Sequence, residues 1–71
     1  MNAAVGSYAV DTRTGRLGTV MGHVGPYVQL RPIGGGREWD CVPDAVREAT
    51  AAERLRAVTA YVNARSRGEM P

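Results

Sequence analysis

The sequence predicts a mainly β protein: a small barrel of four to five antiparallel strands over residues 6–49 and one C-terminal α-helix over residues 50–67, in a single domain spanning 1–71. Three observations lead there. Short alternating segments are separated by turn-forming residues at close spacing, which is the pattern of small all-β domains. A capping signature at Thr50-Ala51-Ala52-Glu53 opens a run rich in Ala, Leu and Arg. The 71 residues contain one cysteine, so neither an internal disulfide nor a four-ligand zinc core from Cys41 and His23 can substitute for a packed interior. A chain of this size hides only about 60% of the surface its unfolded form exposes, so the core is small.

The elements follow in order. Ser7 to Asp11 alternates, with Tyr8 and Val10 on one side. Thr12-Arg13-Thr14-Gly15 is a turn. A second strand runs from Arg16 to Val24. Leu17 and Val20 cannot share a face of a regular strand, so a bulge or bend is expected near Gly18. Gly25-Pro26 turns the chain into a third strand, in which Val28 and Leu30 face the core and which Pro32 ends. Gly34-Gly35-Gly36 turns it again. A fourth strand covers Arg37 to Val42, with Trp39 and Cys41 on one face and Glu38 and Asp40 on the other. Pro43 to Val46 is a single helical turn, and Arg47 to Ala49 a short closing strand. In the helix, Ala51, Leu55, Val58 and Val62 fall on one stripe with Tyr61 beside it. A helix of about 16 residues is marginal alone in water, so the stripe must dock on the barrel or on another chain. Residues 1–5 and 67–71 are expected to fray.

The order of strands, bend and one-turn helix resembles an SH3-like barrel. Within it, Gly15-Arg16-Leu17-Gly18-Thr19-Val20 is similar to the Gly-x-x-Gly-x-Val core of the KOW motif of ribosomal proteins and transcription elongation factors. Most of the basic residues around a KOW loop are missing. The longer string running from Val5-Gly6 through Asp11, Thr14-Gly15-Arg16, Leu30-Arg31-Pro32 and Gly34-Gly35-Gly36-Arg37-Glu38-Trp39 to Pro43 and Arg47 resembles a group of very small actinobacterial proteins. That likeness supports the domain reading and transfers no catalytic residues.

Composition narrows the functional classes. All nine basic residues are arginine, which together with abundant Ala, Val and Gly fits a GC-rich coding genome. Residues 1–49 carry five arginines and five acids, so the net charge of +2 arises entirely from residues 50–71. A neutral body gives no general attraction to phosphate. No apolar run reaches the ~20 residues of a membrane span, and the N-terminus lacks a secretion signal. A cytoplasmic setting with no membrane contact is therefore expected.

Each candidate site has a plain structural reading beside it. A phosphate-cradling loop needs a helix N-terminus or nest behind it. Gly34–Gly36 leads into a strand, so a hinge between strands is preferred. His23 has no evident catalytic partners in sequence, and Cys41 reads as a small buried hydrophobe. Catalysis is not expected, and neither a cofactor nor a metal is implied. The expected activity is that of a non-enzymatic protein-interaction module, binding a protein partner or a second copy of itself. Its surface would comprise Tyr8, Tyr27, Arg31, Arg37 and Trp39 at the barrel rim and Leu55, Val58 and Val62 on the helix. The alternative is a KOW-type module binding RNA or DNA through Arg54, Arg56, Arg65 and Arg67.

Overall fold

A computed structural model describes residues 4–66; the expectations of frayed residues 1–3 and 67–71, and the role given to Arg67, lie outside the described residues. The chain forms five antiparallel strands in one sheet and a C-terminal helix. These are β1 (Tyr8–Asp11), β2 (Arg16–Val24), β3 (Tyr27–Pro32), β4 (Trp39–Cys41), β5 (Val46–Glu48) and α1 (Ala51–Ser66), with a 3-10 turn at Pro43–Ala45 between β4 and β5. The sheet order is β4-β3-β2-β1-β5. No ladder joins β4 to β5, so the expected closed barrel is instead an open, curled sheet. The curl is visible in what meets inside it. Cys41 of β4, Ala45 of the 3-10 turn and Val46 of β5 join Ala9, Val20, Val28 and Leu30 in one buried cluster. Asp11 of β1 reaches Trp39 of β4 across the concave side.

Local chemistry fixes the connections. Gly15 turns with φ +77° and donates its N–H to the Asp11 carbonyl at 2.7 Å. The Thr12 N–H and Oγ1 both donate to the Ala45 carbonyl, at 2.8 and 3.0 Å, which ties the β1–β2 turn to the 3-10 turn. This junction holds β5 beside β1 where no β4–β5 ladder exists.

Register decides which side chains enter the core, and here the structure corrects the sequence reading. Asp11 pairs with Arg16 and with Val46, while Val10 pairs with Leu17 and with Arg47. Directly opposed residues share a face. Ala9, Asp11 and Val46 therefore line the concave side, whereas Tyr8 and Val10, on one side as expected, lie with Leu17 on the convex side. The bulge or bend expected near Gly18 is absent: the strand is regular from Leu17 to Val20, and these two residues lie on different faces. The sheet is covered on both sides, so both faces of β2 take apolar residues. The irregularity falls between Val20 and Gly22, and Met21 is the extra residue. β4 is shorter than expected, with Arg37 and Glu38 left in the preceding loop, and β5 begins one residue early, at Val46.

The helix covers the convex face. Thr50 and Glu53 form the predicted reciprocal cap, with the Thr50 N–H donating to Glu53 Oε1 at 2.9 Å and the Glu53 N–H to Thr50 Oγ1 at 3.1 Å. Arg47 grips the same carboxylate with two nitrogens, at 2.8 and 2.6 Å. At the other end, Tyr61 lies against Gly34. That glycine has φ +87°, and a Cβ there would run into the tyrosine ring. The helix thus spans from β5 to the glycine loop. Between these two anchors Val10, Leu17, Glu53, Ala57 and Ala60 line a narrow groove. Gly34→Ala is expected to cost about 1–2 kcal/mol from its left-handed backbone alone. It should also free Tyr61, seen as lost amide protection in the last two turns of α1.

Candidate interaction surface

The concave mouth of the sheet is organised by one carboxylate. Asp11 is fully buried. Its Oδ1 accepts from the Arg13 backbone N–H at 3.0 Å and from Arg13 Nε at 3.3 Å. Its Oδ2 accepts from Arg13 Nη2 at 3.1 Å and from Trp39 Nε1 at 3.0 Å. The Arg13 guanidinium holds this carboxyl far below the usual carboxylate range, and the Trp39 donor assists, against the opposing effect of burial. Arg16 stacks over the Trp39 ring at 4.0 Å from its centroid. Gly18 lies under the ring's edge. Trp39 is half-buried and locked by these contacts, so it belongs to the frame of the mouth more than to an open surface. Burial pushes the Cys41 thiol up, and the nearby Asp11 charge adds to this, so the thiol stays protonated at neutral pH. His23 and Cys41 sit opposite the two sides of Val28, on strands two apart, about 10 Å from each other by sheet spacing.

The other predicted rim residues are dispersed. Arg31 is exposed on the convex side and paired with Glu38 at 3.0 Å. Arg37 is exposed in the loop before β4. Tyr27 stands at the far hairpin, opposite Val24. Continuing the β3–β4 register one step past Cys41 sets Val42, just beyond β4, beside it, so Val24, Tyr27 and Val42 form an exposed apolar row at this end of the sheet. Tyr8 is half-buried under Arg54, whose guanidinium lies 5.4 Å from the ring centroid. These two help line a cleft of about 420 Å³ with Ser7, Glu48 and Thr50 at the start of α1.

The helix presents two faces. The half-buried positions are Glu53, Ala57, Val58, Tyr61 and Ala64. This replaces the expected docking stripe of Ala51, Leu55, Val58 and Val62, of which only Val58 is half-buried. Ala57 lies across the groove from Val10 and Leu17, and the Arg47–Glu53 and Tyr61–Gly34 contacts set the rotation. At about 100° per residue, Ala52, Leu55, Thr59 and Val62 cluster about 180° from Ala57. Leu55 is 68% exposed and Val62 50%. Their 3-4-3 spacing is that of a helix-pairing seam. Exposed arginines flank it, Arg56 on one side and Arg65 on the other, while Arg54 lies further round toward the docked face. Arg65 lies 5.8 Å from the Tyr61 ring centroid. Among the described residues none of these three arginines has an ion pair, whereas the acid of the same helix, Glu53, is held by Arg47 on the inner side.

The Glu53 anchor is pH-sensitive. Arg47 and the Thr50 N–H bring its carboxyl down to about 2, below the value near 4.3 of an unfolded glutamate. A group depressed on folding stabilises the fold above its unfolded pKa, and that contribution fades as pH falls toward the folded one. Docking of α1 is therefore expected to weaken between about pH 4.3 and 2. An acid titration of helical circular dichroism in wild type and Glu53→Gln checks this: the variant, which lacks the titrating group, should show a smaller change across that window.

No protein-family model, curated protein or solved structure matches the chain. Among the described residues, no helix is long and apolar enough to cross a membrane.

Proposed function

We propose that this protein is a non-enzymatic interaction module whose sheet serves as scaffold and whose helix serves as the binding element. The observation that carries the reading is the exposure of Leu55 and Val62 on a helix whose opposite face is already docked. A helix that needed its apolar residues only for its own fold would turn them inward. The row of Val24, Tyr27 and Val42 offers a second contact area. A protein ligand is favoured over nucleic acid because Arg54 and Arg65 lie near the rings of Tyr8 and Tyr61, and an apolar seam separates them from Arg56. A phosphate backbone calls for a continuous basic track, not an aliphatic strip.

Affinity capture with wild type, Leu55→Asp, Val62→Asp and Tyr27→Ala tests this. The helix variants are expected to lose a partner that wild type retains, while their thermal midpoints stay within a few degrees, as befits exposed positions. If all three variants keep every wild-type partner, the reading falls.

A further inference from the structure

The outer seam of α1 also carries information about what it binds. We infer that its occupant is an amphipathic helix from another protein, with aliphatic residues at coiled-coil spacing and carboxylates on its flanks. The inference rests on the interaction-module reading above and specifies the partner's chemistry.

Geometry comes first. Ala52, Leu55, Thr59 and Val62 run along about 15 Å of helix, two heptads' worth of a and d positions. Two of the four are small or short, so a facing helix can approach closely and seat its own larger side chains beside Leu55 and Val62. The docked face of α1 points the other way, so the seam is open along its length.

Charge then selects the occupant. In a coiled coil the residues flanking the seam set partner choice. Here those flanks carry Arg56 and Arg65, with no carboxylate among them. A second copy of the chain would bring four arginines around one seam, while Glu53, the acid of each helix, is already held by Arg47 on the inner side. A helix with Glu or Asp at the flanks would meet each arginine with a charge of opposite sign, and would gain in association rate as well.

The probes are three synthetic 21-residue peptides. The first has Leu at a and d and Glu at e and g. The second replaces each Glu with Lys, and the third replaces each Leu of the first with Ala. Each is titrated into the isotopically labelled full chain and followed by amide resonances. The Glu-flanked peptide is expected to shift residues 52–63, to bind at least about tenfold more tightly than either control, and to weaken with added salt. Arg56→Glu should reduce its affinity several-fold. Leu55→Asp should abolish binding while leaving the remaining spectrum unchanged.

Several outcomes overturn the inference: equal binding of the Glu and Lys peptides, shifts that map elsewhere, or no binding at all. A solution mass of two chains that Leu55→Asp returns to one would assign the seam to a second copy. Shifts of the same residues by a short RNA or DNA duplex, but not by the Glu peptide, would assign it to nucleic acid. If capture depends on Leu55 but the peptides do not discriminate by charge, the partner chemistry is wrong and the interaction module stands. If capture does not depend on Leu55, both fall.

Discussion

Replacing Asp11 with alanine is expected to destabilise this protein by about 2–4 kcal/mol, because it strips the buried acceptor from several donors at once. The Trp39 indole N–H would lose its partner inside the concave face. The Arg13 backbone N–H would lose its acceptor at the β1–β2 turn. The Arg13 side chain is 54% exposed and can turn to water, which keeps the cost below that of breaking a fully buried ion pair. A 71-residue domain holds roughly 4–10 kcal/mol in total, so the variant should be largely unfolded under mild denaturant. Asp11→Asn keeps an acceptor for Trp39 but removes the charge, and should cost about half as much. In a Trp39→Phe background, where the indole donor is already absent, Asp11→Ala should cost less by about 1 kcal/mol. Urea unfolding followed by circular dichroism measures all five chains, wild type included. Equal costs in both backgrounds would mean that the Asp11–Trp39 bond does not couple β1 to β4.

Much of the architecture is legible in the residues. Turn chemistry at Thr12–Gly15 and Gly25-Pro26, the proline-led turn at Pro43 and the Thr50/Glu53 cap place the element boundaries to within a residue or two. Strand and helix faces are less legible, for a physical reason. A sheet covered on both sides takes apolar residues on both, so Ala9 and Val10 are each buried and alternation cannot say which faces the core. The inward residue at the end of β1 is a carboxylate, which hydropathy assigns to solvent; only the need of Trp39 for an acceptor, with an arginine two residues after Asp11, hints otherwise. The helix likewise carries two apolar faces. Its periodicity favours the stripe with the larger side chains, whereas the docked one is chosen by Arg47 and Gly34, which lie 6 and 27 residues from their partners Glu53 and Tyr61. The candidate site is legible in part. Leu55 and Val62 do lie on an open surface, but the rim residues Tyr8, Tyr27, Arg31 and Arg37 are scattered by a register that the sequence does not display.

Gly18→Ala is the second large effect expected. Gly18 is buried in β2 between Ala9 and Pro32 in register. A Cβ there would stand 2.7 Å from the Arg31 carbonyl oxygen and 2.9 Å from the Trp39 ring. The first neighbour is backbone within the β2–β3 ladder and cannot withdraw without opening the sheet. The second is a ring held by Asp11 at its indole N–H and by Arg16 over its face. Relief must therefore come from moving Trp39, at the cost of its bond to Asp11, or from spreading β2 and β3. Overpacking of this kind costs about 1–3 kcal/mol, and loss of the indole hydrogen bond adds roughly 1 more. Trp39 is the sole tryptophan, so its fluorescence reports the site directly. The variant should show red-shifted emission in the native baseline and a lowered urea midpoint. Gly15→Ala, strained at φ +77° but with open space around its Cβ, should lower the midpoint less and leave the emission of the folded state unchanged. A Gly18→Ala chain with wild-type emission and midpoint would show that the indole does not need the space glycine leaves, and that Gly18 is present for another reason.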